Sequence, residues 1–432
     1  MNNITEIKKS RVILTGLNTT SSIDEFEHSM DELSALASAC DFEVVGIHTQ
    51  NLPSPNNAFY VGTGKVEEIA QSVAALEADY VIFNESLSPI QLRNLADALK
   101  CGVLDRTTLI LQIFSSRART KEAMLQVELA NLQYMLPRLV GLHAALSRQG
   151  GGSGSLSNKG SGEKKLELDR RHIEQRITEL KKDLNDVSRE RATTRKQRES
   201  SGMKKIALVG YTNAGKSTIM NWFIDTYGGD ESKKVLEKDM LFATLDTTIR
   251  KITPPQNVLP PFLLSDTVGF IDKLPHTLVK AFHSTLEEVT FADLILHVID
   301  ASDEHADSQL KVTEKTLEEL SAGTIPVIYI FNKAEKKQEI SKLPVVKDNK
   351  IYLSAKSRIG MEELLTLISE KLHPSRKTVT FLFPHSRGDL LNHLFQYATV
   401  LEYSYTDDGI LCRCTCDERE RQKFKQYIVI KE

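Results

Sequence analysis

Short apolar runs alternate with amphipathic stretches through residues 11–115, and their spacing sets the elements to expect. Val12–Thr15 and Val44–His48 are β-branched runs of strand length, and Ser22-x-x-Glu25 between them is a capping box opening an amphipathic helix. Further strands are expected at Tyr80–Phe83 and Gly102–Leu104, with helices near Val66–Leu76 and Pro89–Leu99. This alternation predicts a small parallel α/β domain over residues 1–115. Gly62-Thr63-Gly64-Lys65 has the look of a phosphate loop but lacks the full pattern, and a tight turn before a helix is the preferred reading.

The period changes in residues 116–202. Leu125, Leu129, Leu132, Leu136 and Leu139 recur at spacings of four and three, as do Ile173, Ile177, Leu180, Leu184 and Val187. Two such seams predict an antiparallel helical hairpin whose Gly/Ser-rich tip covers 149–162. Alternation resumes over 203–373, with strands expected at Ile206–Gly210, Phe262–Ser265, Leu294–Ile299, Val327–Phe331 and Ile351–Leu353. Residues 374–432 read as a small α+β module, with a helix near Asp389–Tyr397 and strands at Val400–Tyr405 and Ile410–Cys416.

Composition narrows the class only slightly. With 41% hydrophobic and 26% charged residues, the 432-residue chain has enough apolar content for full cores, and its net charge of −3 creates no global pull toward nucleic acid. Charge is uneven, however: Gly150–Lys205 carries fifteen Lys/Arg against nine Asp/Glu, which on a long arm favours contact with an RNA backbone. Apolar runs such as Leu294–Ile299 are far short of a membrane span, and the N-terminus shows no apolar signal segment. Five cysteines, an odd number, fit a reducing cytosol, so a cytoplasmic location is expected. Cys412-x-Cys414-x-Cys416 invites a zinc reading, but its period of two puts all three on one strand face without a fourth ligand, and small buried strand residues are preferred.

The chemistry concentrates at Ile206–Thr218. An apolar strand runs into Gly210-x-x-x-x-Gly215-Lys216-Ser217, a GTP-site loop of Gly210, Tyr211, Thr212, Asn213, Ala214 and Gly215 in which the backbone of Asn213–Thr218 is expected to hold the phosphates. Lys216 supplies charge to the β- and γ-phosphates, and the Ser217 hydroxyl is a Mg²⁺ ligand. Asp266-Thr267-Val268-Gly269 ends a strand, with Asp266 supporting the metal through water and the Gly269 N–H meeting the γ-phosphate. Asn332-Lys333-Ala334-Glu335 ends another. A carboxylate there accepts from the guanine N1–H and exocyclic amine, and adenine offers it no N1–H. Ser354-Ala355 backs the base. Between the first two motifs lies Phe242-Ala243-Thr244-Leu245-Asp246, where one of the nearby threonines closes on Mg²⁺ and the γ-phosphate. The four motifs in this order predict a Ras-like GTP-binding fold at the carboxyl edge of a doubly wound sheet.

With these residues in view, the chain resembles the HflX family of ribosome-associated GTPases. The resemblance is carried by Asp105-Arg-Thr-x-Leu-Ile-Leu-x-Ile-Phe114, Leu125-Gln-Val-Glu-Leu-Ala130, Leu136-Pro-Arg-Leu139, Leu166-Glu and Asp169-Arg-Arg171. Phe242-Ala-Thr-Leu-Asp246, Asp266-Thr-Val-Gly-Phe-Ile271 and Ser284-Thr-Leu-Glu-Glu288 complete it, and the C-terminal block matches only by position. It implies that Thr244 is the switch threonine, and that GTP, Mg²⁺ and the large (50S) ribosomal subunit with its rRNA are the partners. It also implies a hairpin tip approaching the peptidyl-transferase region and GTP-dependent splitting of stalled ribosomes. Lys216, Thr244 and Gly269 are the expected catalytic-site groups, on a chain expected to act as a monomer.

Three features modify that picture. Phe270 stands where many GTPases have a water-orienting glutamine, so slow intrinsic hydrolysis completed by a partner is expected. Asn213 within the loop invites a K⁺ beside the phosphates, against the alternative of plain loop geometry. Glu335 replaces the family's aspartate, and the tip Gly151–Glu163 lacks the family's Arg and Pro and offers only Lys159 as a cation.

Overall fold

The computed structural model describes residues 9–19, 21–149, 159–199, 203–228, 248–255, 259–267, 269–271, 288–337, 339–373 and 376–431. Two compact units divide the chain, the first running to Arg195 and the second holding most of residues 196–432. Among the described residues, no helix is long and apolar enough to cross a membrane.

In the first unit, strands β1 (Arg11–Asn18), β2 (Glu43–Asn51), β3 (Tyr80–Phe83) and β4 (Gly102–Asp105) form a parallel sheet in the order β2-β1-β3-β4. The crossovers are α1 (Ile23–Ala39), α2 (Thr63–Leu76) and α3 (Pro89–Leu99). Ser22 and Glu25 form the capping box expected for α1, and Ser88 with Gln91 repeats the device before α3. Ile13, Val81 and Phe83 bury one sheet face against Ile69, Leu95 and Leu99. Gly62 is the residue preceding α2, the turn-before-helix role preferred for Gly62–Lys65.

Helix α4 (Arg106–Arg117) follows β4 directly and is capped by Asp105, whose side chain accepts from Thr108 N at 2.9 Å. Then come two long helices, α5 (Lys121–Gln149) and α6 (Lys159–Glu199). Their seam residues Leu125, Leu129, Leu132, Leu136, Ile173, Ile177, Leu180, Leu184 and Val187 share one apolar cluster. The Leu139 side chain lies outside the described residues. Arg176 of α6 ion-pairs with Glu128 of α5 at 2.7 Å. Helix α6 begins inside the stretch expected to be the tip loop: once a helix is established, each added residue gains a backbone bond, and glycines at 160 and 162 cost only about 1 kcal/mol each. Residues 150–158 of the tip lie outside the described residues.

The second unit is built on a seven-stranded sheet. Its strands are β5 (Lys204–Gly210), β6 (Thr248–Ile252), β7 (Phe262–Asp266), β8 (Leu294–Asp300), β9 (Val327–Asn332), β10 (Val345–Lys347) and β11 (Lys350–Tyr352), in the order β10-β11-β9-β8-β5-β7-β6. The five central strands are parallel, and β6 and β10 add antiparallel edges. Helix α7 (Lys216–Tyr227) follows β5, α8 (Ala306–Glu319) follows β8 and α9 (Met361–Leu372) follows β11. Phe223, Phe262, Leu296, Ile330 and Leu364 lie in its main core.

The chain closes with an antiparallel sheet of β12 (Lys377–Phe383), β13 (Thr399–Thr406), β14 (Gly409–Cys416) and β15 (Ile428–Lys431), ordered β13-β14-β12-β15. It carries α10 (Gly388–Tyr397) and the short α11 (Glu418–Lys423). Cys412, Cys414 and Cys416 are fully buried in its apolar core with Phe381 and Leu394, the strand-face placement their period required.

Candidate functional site

Strand β5 is the pivot of the large sheet. Its neighbours are β7 on one side and β8 on the other, so the chain departs in opposite directions and leaves a crevice at the carboxyl end of β5. The loop Gly210–Gly215 occupies that end. Asn213 takes a left-handed backbone at φ 60°, which an asparagine adopts more readily than most residues. Gly215, at φ 99°, precedes α7 without any side-chain cap, and the first N–H groups of that helix face the loop as an anion site. Gly215 also has no room for a side chain, because a Cβ there would stand 2.2 Å from Asn332 Nδ2.

Lys216 is the first residue of α7. Its ammonium folds back to donate to Gly210 O at 3.0 Å and Tyr211 O at 2.7 Å. Burial pulls the Lys216 pKa down from its ordinary 10.5 to about 8, against an opposing pull from the Asp266 carboxylate. The result is a cation fixed in the concave side of the loop and poorly hydrated, which favours exchange of its carbonyl contacts for phosphate oxygens. Ser217 Oγ donates to Asp266 Oδ2 at 3.2 Å, bringing together two hard oxygen donors of the kind Mg²⁺ takes.

The Asp266–Ile271 segment is tied to the loop by backbone. Thr212 N donates to Phe270 O at 2.8 Å, and Phe270 N donates to Gly210 O at 3.1 Å. The Phe270 ring is buried. Gly269 is wedged in place: a Cβ would meet Thr212 Cγ2 at 2.8 Å and Lys216 Nζ at 3.0 Å. The Thr267 hydroxyl points back to the strand, donating to Leu208 O at 2.7 Å. Val268 and the whole of Phe242, Ala243, Thr244, Leu245 and Asp246 lie outside the described residues.

At the base end, Asn332 is a staple. Its Nδ2 donates to Ala214 O at 2.9 Å and its Oδ1 accepts from Ala355 N at 3.0 Å, joining the phosphate loop to the Ser354–Ala355 turn. Ser354 is buried, and its Oγ accepts from Ser357 N at 3.2 Å. Lys333, at φ 60°, ion-pairs with Asp300 Oδ2 at 2.8 Å. Ala334 N donates to Leu353 O, and Glu335 sits in the single 3₁₀ turn after it. Glu335 Oε2 is buried with no hydrogen-bond partner among the described residues, an acceptor suited to the two donors of a guanine edge.

Two contributors escaped the sequence reading. Asp300, which anchors Lys333, ends β8 without any motif to mark it. His297, on the same strand, is buried, and burial together with the nearby Lys216 charge depresses its pKa to about 3, so it stays neutral beneath the loop. Only the pairing of β8 with β5 brings it there.

Residues 27–115 match a family described as GTP-binding GTPase N-terminal, 117–198 its Middle Region, and 205–333 a family described as 50S ribosome-binding GTPase. The chain is 44% identical over 415 residues to GTPase HflX of Caldanaerobacter subterraneus subsp. tengcongensis, covering 96% of this chain and 93% of that protein. It is 37% identical to GTPase HflX of Escherichia coli K12 over 390 residues, 89% of each chain. Among solved structures, a GTP-binding protein from Sulfolobus solfataricus in complex with GDP aligns over 84% of this chain and 98% of its own, at 24% identity and a TM-score of 0.43.

Proposed function

Since the chain belongs to the GTPase HflX family and is a GTP hydrolase, we propose that it binds the large ribosomal subunit, hydrolyses GTP faster when bound there, and uses the cycle to split stalled ribosomes. The observation that carries this reading is Phe270. Its ring is buried and its backbone is bonded into the phosphate loop, so at that position no side chain can orient water, and an outside group has work to do. The division into 1–115, 116–202, 203–373 and 374–432 then gives the arm at 116–202 the ribosome contact, with its tip directed at the peptidyl-transferase region.

In this reading the backbone of Asn213–Thr218 and the Lys216 ammonium hold the phosphates, and the Gly269 N–H meets the γ-phosphate. Glu335 accepts from guanine while Asn332 keeps the base and phosphate ends in register. Ser217 and Thr244 would ligate Mg²⁺, with Asp266 behind them. When bound, such an ion would supply positive charge to offset that of the phosphates. Asn213 is exposed on the loop, where its side-chain carbonyl could serve a K⁺.

The test is multiple-turnover GTP hydrolysis with and without purified large subunits, run in K⁺ and in Na⁺, with ATP in parallel. A rise of tenfold or more with subunits assigns about 1.4 kcal/mol of barrier lowering to the ribosome. An unchanged rate would remove ribosome stimulation. Equal rates in K⁺ and Na⁺ would remove the potassium site, and ATP matching GTP would remove Glu335 as the guanine reader. Sedimentation of ribosomes after incubation with GTP would show subunits if splitting occurs. Intact ribosomes beside accumulating assembly intermediates in depleted cells would favour an assembly checkpoint instead.

A further inference from the structure

Thr212 is 7% exposed, and its Oγ1 is buried with no hydrogen-bond partner among the described residues. Nearby buried hydroxyls behave differently: Thr267 donates to Leu208 O, and Ser265 to Ile206 O. A buried hydroxyl without a partner is disfavoured, so one held this way in a ligand site points to a partner arriving with the ligand.

The surroundings identify that partner. The Thr212 side chain packs on Gly269, and the space a Gly269 Cβ would occupy is bounded by Thr212 Cγ2 at 2.8 Å, Thr212 Cα at 2.9 Å and Lys216 Nζ at 3.0 Å. Thr212 therefore shares its corner with the two groups that serve the terminal phosphate, the Lys216 ammonium and the Gly269 backbone. The same residue's N–H is already committed to Phe270 O, which fixes the backbone and leaves the side-chain hydroxyl as its remaining donor.

We propose that the Thr212 hydroxyl is a catalytic group of the hydrolysis reaction, hydrogen-bonded to the attacking water beside the γ-phosphate and taking over from the phosphate loop part of the orienting role that Phe270 cannot fill. It accepts from a water O–H and so turns an oxygen lone pair toward phosphorus. The water oxygen bonds to the γ-phosphorus, and the bond from that phosphorus to the β,γ-bridging oxygen breaks with its electron pair leaving on GDP. The water proton ends on the inorganic phosphate. Thr212 is unchanged at the end and needs no further reactant.

This inference rests on GTP turnover at the site, not on the ribosome. The experiment compares the full chain with T212V, which keeps the shape and loses the hydroxyl, and T212S, which keeps the hydroxyl and loses the methyl. Single-turnover GTP hydrolysis is measured without ribosomes, beside affinity for a fluorescent GDP. The expected result is a fall of about tenfold or more in the T212V rate at unchanged GDP affinity, with T212S within about threefold of the parent. A T212V rate equal to the parent overturns the proposal. So does a T212S rate as low as that of T212V, which would assign the position to packing, and so does loss of GDP binding in both variants, which would assign it to loop architecture. Repeating the series with large subunits keeps the two readings apart. A T212V deficit persists whether or not subunits stimulate the parent.

Discussion

The chain contains one parallel and one mainly parallel sheet with a Gly-x-Gly-Lys or Gly-Lys sequence leading into a helix, and they treat it in opposite ways. In the second unit, β5 runs straight into the loop and Lys216 is the first helical residue, so its ammonium turns back into the loop. In the first unit, Lys65 is already the third residue of α2, and its ammonium runs along the helix to Glu68 at 2.7 Å. A shift of two residues in where the helix begins separates an ammonium turned into its loop from a surface ion pair. The crevices differ too. At the carboxyl end of β1 and β3, the first unit places Arg106, which ion-pairs with Glu32 and donates to Asn84 Oδ1 at 3.0 Å, while Asn84 donates to Ser29 Oγ at 2.9 Å. The protein's own guanidinium fills the position that a ligand takes in many doubly wound sheets. One sheet is finished by its side chains, and the other ends in a glycine-rich loop around a lysine.

That contrast can be broken experimentally. The largest expected effect is on stability: Arg106→Ala removes the guanidinium that ion-pairs with the buried Glu32 carboxylate and should cost about 3–5 kcal/mol, read as a fall in the thermal midpoint. GDP affinity, measured where the variant is still folded, should be unchanged. Loss of GDP binding without loss of stability would mean that the first sheet serves nucleotide after all. Next in size is Lys216→Ala, expected to weaken GDP binding by about a hundredfold by removing a charge-assisted contact, while Lys65→Ala changes it less than twofold. A comparable loss from Lys65→Ala would erase the distinction between the two loops. The smallest effect is with pH. Lys216 loses its proton near pH 8 in the free folded protein and near 10.5 when unfolded. Between those values the folded state holds one proton fewer, so this group's contribution to stability rises with pH. Nucleotide binding needs the cation and should weaken, by up to tenfold per pH unit above about 8, with a proton taken up on binding. Calorimetry in buffers of different ionisation enthalpy reads that proton, and a flat affinity to pH 9.5 would show that Lys216 stays charged.

Legibility in the sequence went with contiguity along the chain. The phosphate loop, the Ser22 helix start and the two leucine-rich seams, one from Leu125 and one from Ile173, are local patterns whose periods match one element each. Edges were harder. Strand β6, Thr-Ile-Arg-Lys-Ile, is half polar, and β10 is only three residues, so neither shows a clean period. Long-range polar pairings were invisible. Asp105 and Arg138 were visible as separate marks of the family resemblance, and the fold brings them together: Asp105 Oδ2 accepts from Leu87 N, Tyr134 OH and Arg138 Nη2, fastening α5 to the end of β4. At the candidate site, motif order marked residues along the chain but not the contacts they make within the protein. Asn332 spends both ends of its amide on the protein, and Thr267 spends its hydroxyl on Leu208.

The crowding of Gly215 against Asn332 also bears on heredity. An alanine at 215 would need the amide nitrogen 2.2 Å from its Cβ to yield, yet that nitrogen donates to Ala214 O and the amide oxygen accepts from Ala355 N. A smaller residue at 332 would make room for the methyl group but release both turns at once. A lineage therefore has no single-step route away from either residue, and two motifs that are distant along the chain should change together or stay as they are.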